Sequence, residues 1–323
     1  YVAWVQRGSV VEISSTDPLL GAVFYTLDLG DRERPAFDRH TEKCLICHGS
    51  THTRRVPGHI VRSVYTGRDG MPVFSAGTYR TDHTSPFEER WGGWYVTGTH
   101  GDMLHLGNQV VADANARDLI DPKLGSNITD LNTLSTRVRT KPYLSRHSDI
   151  VALSVLEHQV AMHNQLTSSG YNGRFALHDA DVINKALKRA DGYQSESTLR
   201  RLDSAAERII KCLLYVDEFA LTSEIAGTSD FTREFQKRGP FDSAGRSLRD
   251  FDLSKRLFRY PCSFLIYSEQ FGALPAPVLT RVYSRLLKIL QGEDKSDDFA
   301  HLSGDTRQAI LEILRETKSG LPA

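Results

Sequence analysis

The distribution of apolar residues changes character once along the chain. Up to about residue 145 the apolar runs are short and broken by polar or glycine-containing stretches, the pattern of strands and loops. "YVAWVQ" and "SVVEIS" flank Arg7-Gly8, which predicts a hairpin, and "AVFYTLDL" predicts a further strand. "IVRSVYT" and "PVFSAGTYR" flank "GRDGM" and predict a second hairpin. "RWGGWYVTGTHGDMLHLGN" combines paired glycines with aromatic residues, which predicts backbone packed closely against something flat or bulky. Residues 113–145 are polar and read as a long connection. Asp121, Asn127, Asp130 and Asn132 within it do not follow the EF-hand spacing, so a turn-rich loop is the better reading than a calcium site.

From residue 146 the period becomes helical. Ile150, Leu153, Leu156, Val160 and His163 share a face, with Ser148 as the cap candidate. A short helix is expected over 179–190, stopping at Gly192. "SESTLRRLDSAAERIIKCLLYV" predicts a long amphipathic helix with a stripe of Leu199, Leu202, Ala206, Ile209 and Leu213. Further helices are expected at 254–271, 276–291 and 304–317, the second started by Pro275 and Pro277, the third capped by Ser303 or Asp305. The fold class is therefore α+β. A β- and loop-rich part, 1–145, precedes a mainly helical part, 146–323, packed against it or continuous with it as one domain.

Composition narrows the function classes. The 323 residues carry 40 Lys+Arg and 40 Asp+Glu, so no global field would draw the chain to nucleic acid. No apolar run is long enough to predict a transmembrane segment. The chain opens on "YVAWVQ", inside a strand pattern, and a segment ahead of Tyr1 is expected.

"KCLICHGS" carries the chemistry. C-x-x-C-H is the attachment signature of c-type haem. Cysteines at i and i+3 on one helical turn point the same way and can reach two vinyl groups of one porphyrin, and the next residue places its imidazole under the iron. Cys44 and Cys47 would form the thioethers and His48 the proximal ligand. A thioredoxin-like dithiol needs a different context. A zinc site needs a second pair, and Cys212 and Cys262 are not spaced as one. Those two read as core thiols, with a disulfide between them permitted in an oxidising compartment. Haem is attached covalently outside the cytoplasm, so the motif also predicts a periplasmic or otherwise exported protein.

The stretches "GAVFYTLD", "CLICH", "VPGHIVRSVY", "ERWGGWYVTGTHG", "HLGN", "YLSRHSDIVALSVLEHQ", "SLRDFDLSKRLFRYPCSFLIYSEQF" and "RQAILEILRETKSGLP" cover nearly the whole chain. In them it resembles a group of bacterial cytochrome c domain-containing proteins. The resemblance implies an exported c-type cytochrome with one haem c and further sequence ahead of residue 1. It implies no particular reaction.

One axial position is left for the sequence to fill. His105, in "MLHLGN", is the leading candidate, with His100, Met103 and His163 as alternatives and His59, His83, Met71 and Met162 further options. Arg90, Trp91, Trp94 and Tyr95 form the densest cation–aromatic cluster and offer donors for haem propionates. "RSLRDFDLSKRLFRY" reads as a network of ion pairs. The expected function is electron transfer to a redox partner protein, with self-association left open. The alternative is a haem enzyme with an open distal site, a peroxidase or small-molecule oxidoreductase, in which His100 or His105 acts as acid–base group.

Overall fold

The computed structural model describes residues 1–30, 34–111, 121–134 and 138–322; parts of the expected connection over 113–145 lie outside them. Both helices and sheets are present, as an α+β fold requires. Strands β1 (Val2–Trp4), β2 (Val10–Asp17), β3 (Gly21–Asp28) and β4 (Phe37–His40) form one antiparallel sheet in that order. Arg7, at φ 66°, turns the expected first hairpin. Ser14 pairs with Phe24 and Phe24 with His40, while Glu12 pairs with Ala3 and Thr26. Side chains alternate along a strand, so Ala3, Glu12, Ser14, Phe24, Thr26 and His40 share one face.

That face is turned toward the one-turn helix α1 (Leu45–His48). The second hairpin pairs β5 (Arg62–Val64) with β6 (Thr78–Arg80), and Gly67 N–H donates to the Met71 carbonyl within the expected turn.

The helical part is organised by α2 (Ile150–Ala186), a single helix of 37 residues, about 55 Å long. Residues 179–186 of the separate helix expected over 179–190 are its last two turns, and 187–190 lie beyond it. "TSSGYNG" looks polar and interrupted in sequence, yet Thr167, Ser168, Ser169, Gly170 and Gly173 are buried. Ser169 and Gly173 lie where α3 (Glu196–Leu213) and α6 (Ala276–Leu290) pack, and Thr167 meets Gln270. Ser169 Oγ donates to the Ala205 carbonyl at 3.0 Å. A Cβ added at Gly173 would lie 2.7 Å from Val278. A helix covered on several sides needs no apolar stripe, so periodicity gave no sign of its continuity. Its cap is Asp149, which accepts from the N–H groups of Val151 and Ala152, one residue beyond the expected Ser148.

Helix α3 begins at Ser195, whose Oγ accepts from Thr198 N–H, and buries Leu202, Ala206, Ile209 and Leu213. A short helix α4 (Phe231–Gln236) was not expected. The expected helix over 254–271 does not form. Phe251 and Phe258 pair across a bridge, Asp252 caps its own turn, and Pro261 cannot supply a helical N–H. Only a 3₁₀ turn (Phe264–Tyr267) and the one-turn α5 (Glu269–Gly272) remain. Helices α6 and α7 (Gly304–Thr317) match expectation, the latter capped by Ser303. The main core gathers Leu202, Ile209, Phe271, Val282, Leu286 and Ile313. No helix among the described residues is long and apolar enough to cross a membrane.

Gly173→Leu should wedge α2 from α6 and lower stability by about 1–3 kcal/mol, read as a fall in the chemical denaturation midpoint; an unchanged midpoint would refute the packing assignment.

Candidate functional site

Cys44 opens α1 in helical backbone geometry and Cys47 follows one turn later. Both thiols are free; Cys44 is half-buried and Cys47 exposed. Burial, then the nearby Glu12 carboxylate, push the Cys44 thiol up and keep it protonated. His48 closes the turn through its N–H to the Cys44 carbonyl at 2.9 Å. Its Nδ1 lies 2.9 Å from the Gly58 carbonyl oxygen. A carbonyl can only accept, so Nδ1 carries the proton and Nε2 presents its lone pair. The ring packs on Phe24 with centroids 4.7 Å apart. Beside it opens a groove of about 200 Å³, walled by Cys44 and His48 on one side and by Ala3, Glu12, Phe24 and Thr26 of the sheet on the other.

The loop carrying Gly58 is fixed from α2. Asn164 Oδ1 accepts from His59 N–H at 2.8 Å, and Asn164 Nδ2 donates to the His59 carbonyl at 2.7 Å. The His59 ring lies 3.1 Å from both Ser14 Oγ and Thr16 Oγ1, which ties the loop to the sheet. Burial, reinforced by His163, the amino terminus and His48, pushes the His59 imidazole down to about 3. His40 Nε2 meets Thr26 Oγ1 at 2.7 Å, at the edge of the groove.

The structure does not bring the expected axial ligands here. His105, His100 and Met103 belong to a second core around Phe87, Trp91 and Ile150, at the first turn of α2. Asn164, beside the Cys44–His48 segment, is fourteen residues further along, about 21 Å at the helical rise. His105 Nδ1 accepts from Gly107 N–H at 2.9 Å, and His100 Nε2 accepts from Asn127 N–H at 3.0 Å. The glycines expected to pack against something flat or bulky let backbone pass close to backbone and core side chains: a Cβ at Gly98 would strike Ile150, and one at Gly92 would meet Val64. His163 lies 6.2 Å from the His59 ring with Nδ1 bonded to Gln270 Oε1 at 2.8 Å, and it is not among the residues lining the groove.

The expected propionate donors lie away from the groove. Arg90 is buried against Glu157 at 2.8 Å and also donates to the Ser85 and His83 carbonyls. Burial pushes Glu157 up to about 7 despite the pull of Arg90. Trp91 is buried against Phe87 and His105, and Trp94 Nε1 donates to the Arg62 carbonyl. Tyr95 adjoins them and is not among the residues lining the groove. Cys212 and Cys262 are free thiols in the helical core. Arg246 does form ion pairs, with Asp242 and Glu312, whereas Arg249 lies over the rings of Phe235 and Phe264.

Sequence reasoning missed His40, Gly58 and Asn164 as parts of the site. The usable signal was the alternation of Glu12, Ser14 and Thr16, an unbroken polar face on a strand. Compared with family models, with curated protein sequences and with solved structures, the chain matches none of them.

Burial holds the imidazoles of His59 and His105 down to about 3 and that of His83 to about 4, against 6.5 ordinarily. Between those limits the unfolded chain binds more protons, so these groups make stability fall as pH drops through that window. His105→Gln, which can still accept from Gly107, should remove about 2 kcal/mol of the loss between pH 7 and pH 4.5, measured by denaturation at the two pH values. An identical pH dependence in the variant would contradict this.

Proposed function

We propose that the chain is an exported c-type cytochrome with one covalently bound haem, acting in electron transfer with a redox partner protein. One observation carries this reading. His48 donates from Nδ1 to the Gly58 carbonyl and so presents Nε2, directly after two free thiols one helical turn apart. Cys44 and Cys47 would hold the group by thioethers and His48 would bind its metal. When bound, the haem supplies one-electron redox chemistry.

The chain's own residues bind, orient and exclude water. Phe24 buttresses the His48 ring, the Gly58 carbonyl fixes its tautomer, and the sheet face covers one side of the groove. The resemblance to bacterial cytochrome c domain-containing proteins supports the same reading. Such a group is attached outside the cytoplasm, so the reading carries with it a periplasmic or otherwise exported protein.

The second reading, a haem enzyme with an open coordination position, is favoured by the lining of the groove. His48 is the only His or Met among the described residues that wall it.

Mass spectrometry of the chain produced with haem-attachment machinery should show one added haem, lost in Cys44→Ala/Cys47→Ala. An unmodified mass in the parent would end the proposal. His105→Gln should leave the visible spectrum of the haem protein unchanged; conversion from low-spin to high-spin would return His105 to the iron. High-spin ferric iron with fast CO uptake on reduction would select the open-site reading, and low-spin iron without it the carrier.

A further inference from the structure

We infer that a cleft on the flank of the Cys44–His48 segment binds a small molecule through an oxyanion group, carboxylate or phosphate. The cleft has a volume of about 570 Å³ and lies between the turn after His48, strand β6 and the middle of α2. That is the size of a small-molecule site.

His52 and Arg54 stand on one wall and Arg80 on the opposite one, all three exposed. Among the described residues, neither arginine has a carboxylate partner. Arg80 reaches the Thr51 carbonyl at 3.5 Å, which leaves its charge uncompensated. Arg208 on α3 carries a charge of the same sign near Arg54, and burial and then Arg54 hold it below its ordinary value. Unpaired guanidiniums that repel a neighbour are relieved by an anion, which they can grip with two parallel hydrogen bonds.

Two further features point the same way. Arg54 and Arg55 are consecutive residues in left-handed geometry, at φ 62° and 61°, held by Arg55 N–H to the Ser50 carbonyl at 2.8 Å. Side-chain-bearing residues adopt that geometry reluctantly, and it is tolerated where the surroundings enforce it. Thr81 also lines the cleft, 5% exposed, with a hydroxyl near the Glu157 carboxyl that can turn toward a ligand instead.

Two carboxylates complete the lining. Asp82 is turned into its own loop, accepting from Thr84 N–H at 2.8 Å and Thr84 Oγ1 at 2.7 Å. Glu89 has no such partner among the described residues and would repel an anion, or meet a donor group carried by the other end of the ligand. His59 separates the cleft from the groove, lining the first while bonding Ser14 of the second. The inference does not depend on the haem proposal, because no cleft residue is assigned to haem.

Calorimetric titration of the full chain with inorganic phosphate, against sodium chloride of equal ionic strength, tests it. Binding should weaken about tenfold or more in Arg54→Asn and in Arg80→Gln, tighten in Glu89→Gln, and stay unchanged in Arg200→Gln on α3. Asn accepts the left-handed geometry, so Arg54→Asn should keep the thermal midpoint of the parent, which separates loss of charge from loss of fold. No phosphate binding at millimolar concentration, equal binding in the parent and both arginine variants, or equal weakening by Arg200→Gln would each overturn it.

Discussion

Asn164 grips the backbone of His59 at both of its polar groups, and the placement of the candidate site follows from that pair of bonds. The loop from Gly49 to His59 has a 3₁₀ turn and no strand of its own, so it needs an external reference. Asn164 provides one from a rigid helix, in a buried setting where an unmade bond would cost about 1–3 kcal/mol. Gly58 has no Cβ because Asn164 Oδ1 and Thr53 occupy the place where one would sit. With Gly58 held, its carbonyl meets His48 Nδ1, and with His59 held, its ring meets the hydroxyls of β2. One amide side chain thus orients the imidazole of the motif and docks the sheet.

Helix α2 carries two other buried polar stations at different heights. Asp149, at its start, accepts from Thr228 and Ser229 N–H groups and so ties down the segment before α4. Arg90–Glu157 follows, two turns up, with His83 and His158 beside it and Tyr215 stacked on His158. Such a pair costs much to desolvate and contributes more to which arrangement forms than to how stable it is. It fixes the segment carrying Trp91 and His105 near the start of α2, whereas Asn164 lies near its middle. A helix is a stiff ruler, so groups tied to distant turns cannot meet at one metal.

The candidate site was half legible. Cys44, Cys47 and His48 are local in sequence, and one helical turn suffices to place them, so spacing alone identified them as a unit. Proximity along the chain is a poor guide to an axial ligand, because His48 and His105 belong to segments tied to different turns of α2. Arg90, Trp91, Trp94 and Tyr95 were read as donors for a cofactor because they combine charge with aromatic rings. The same chemistry serves a buried ion pair and a packed corner, and only the position of Glu157, far away in sequence, separates these outcomes.

Sequence by itself determined the α+β class, the first hairpin, the amphipathic helices α3, α6 and α7 and the thiol–imidazole turn. Each of these follows from periodicity or spacing within a few residues. Tertiary structure alone decided that "TSSGYNG" continues a helix, that 254–271 does not form one, and which histidines lie near His48. Those outcomes depend on small residues admitting α3 and α6, on Phe251 finding Phe258, and on Asn164 reaching His59. Contacts between residues remote along the chain leave no period to read.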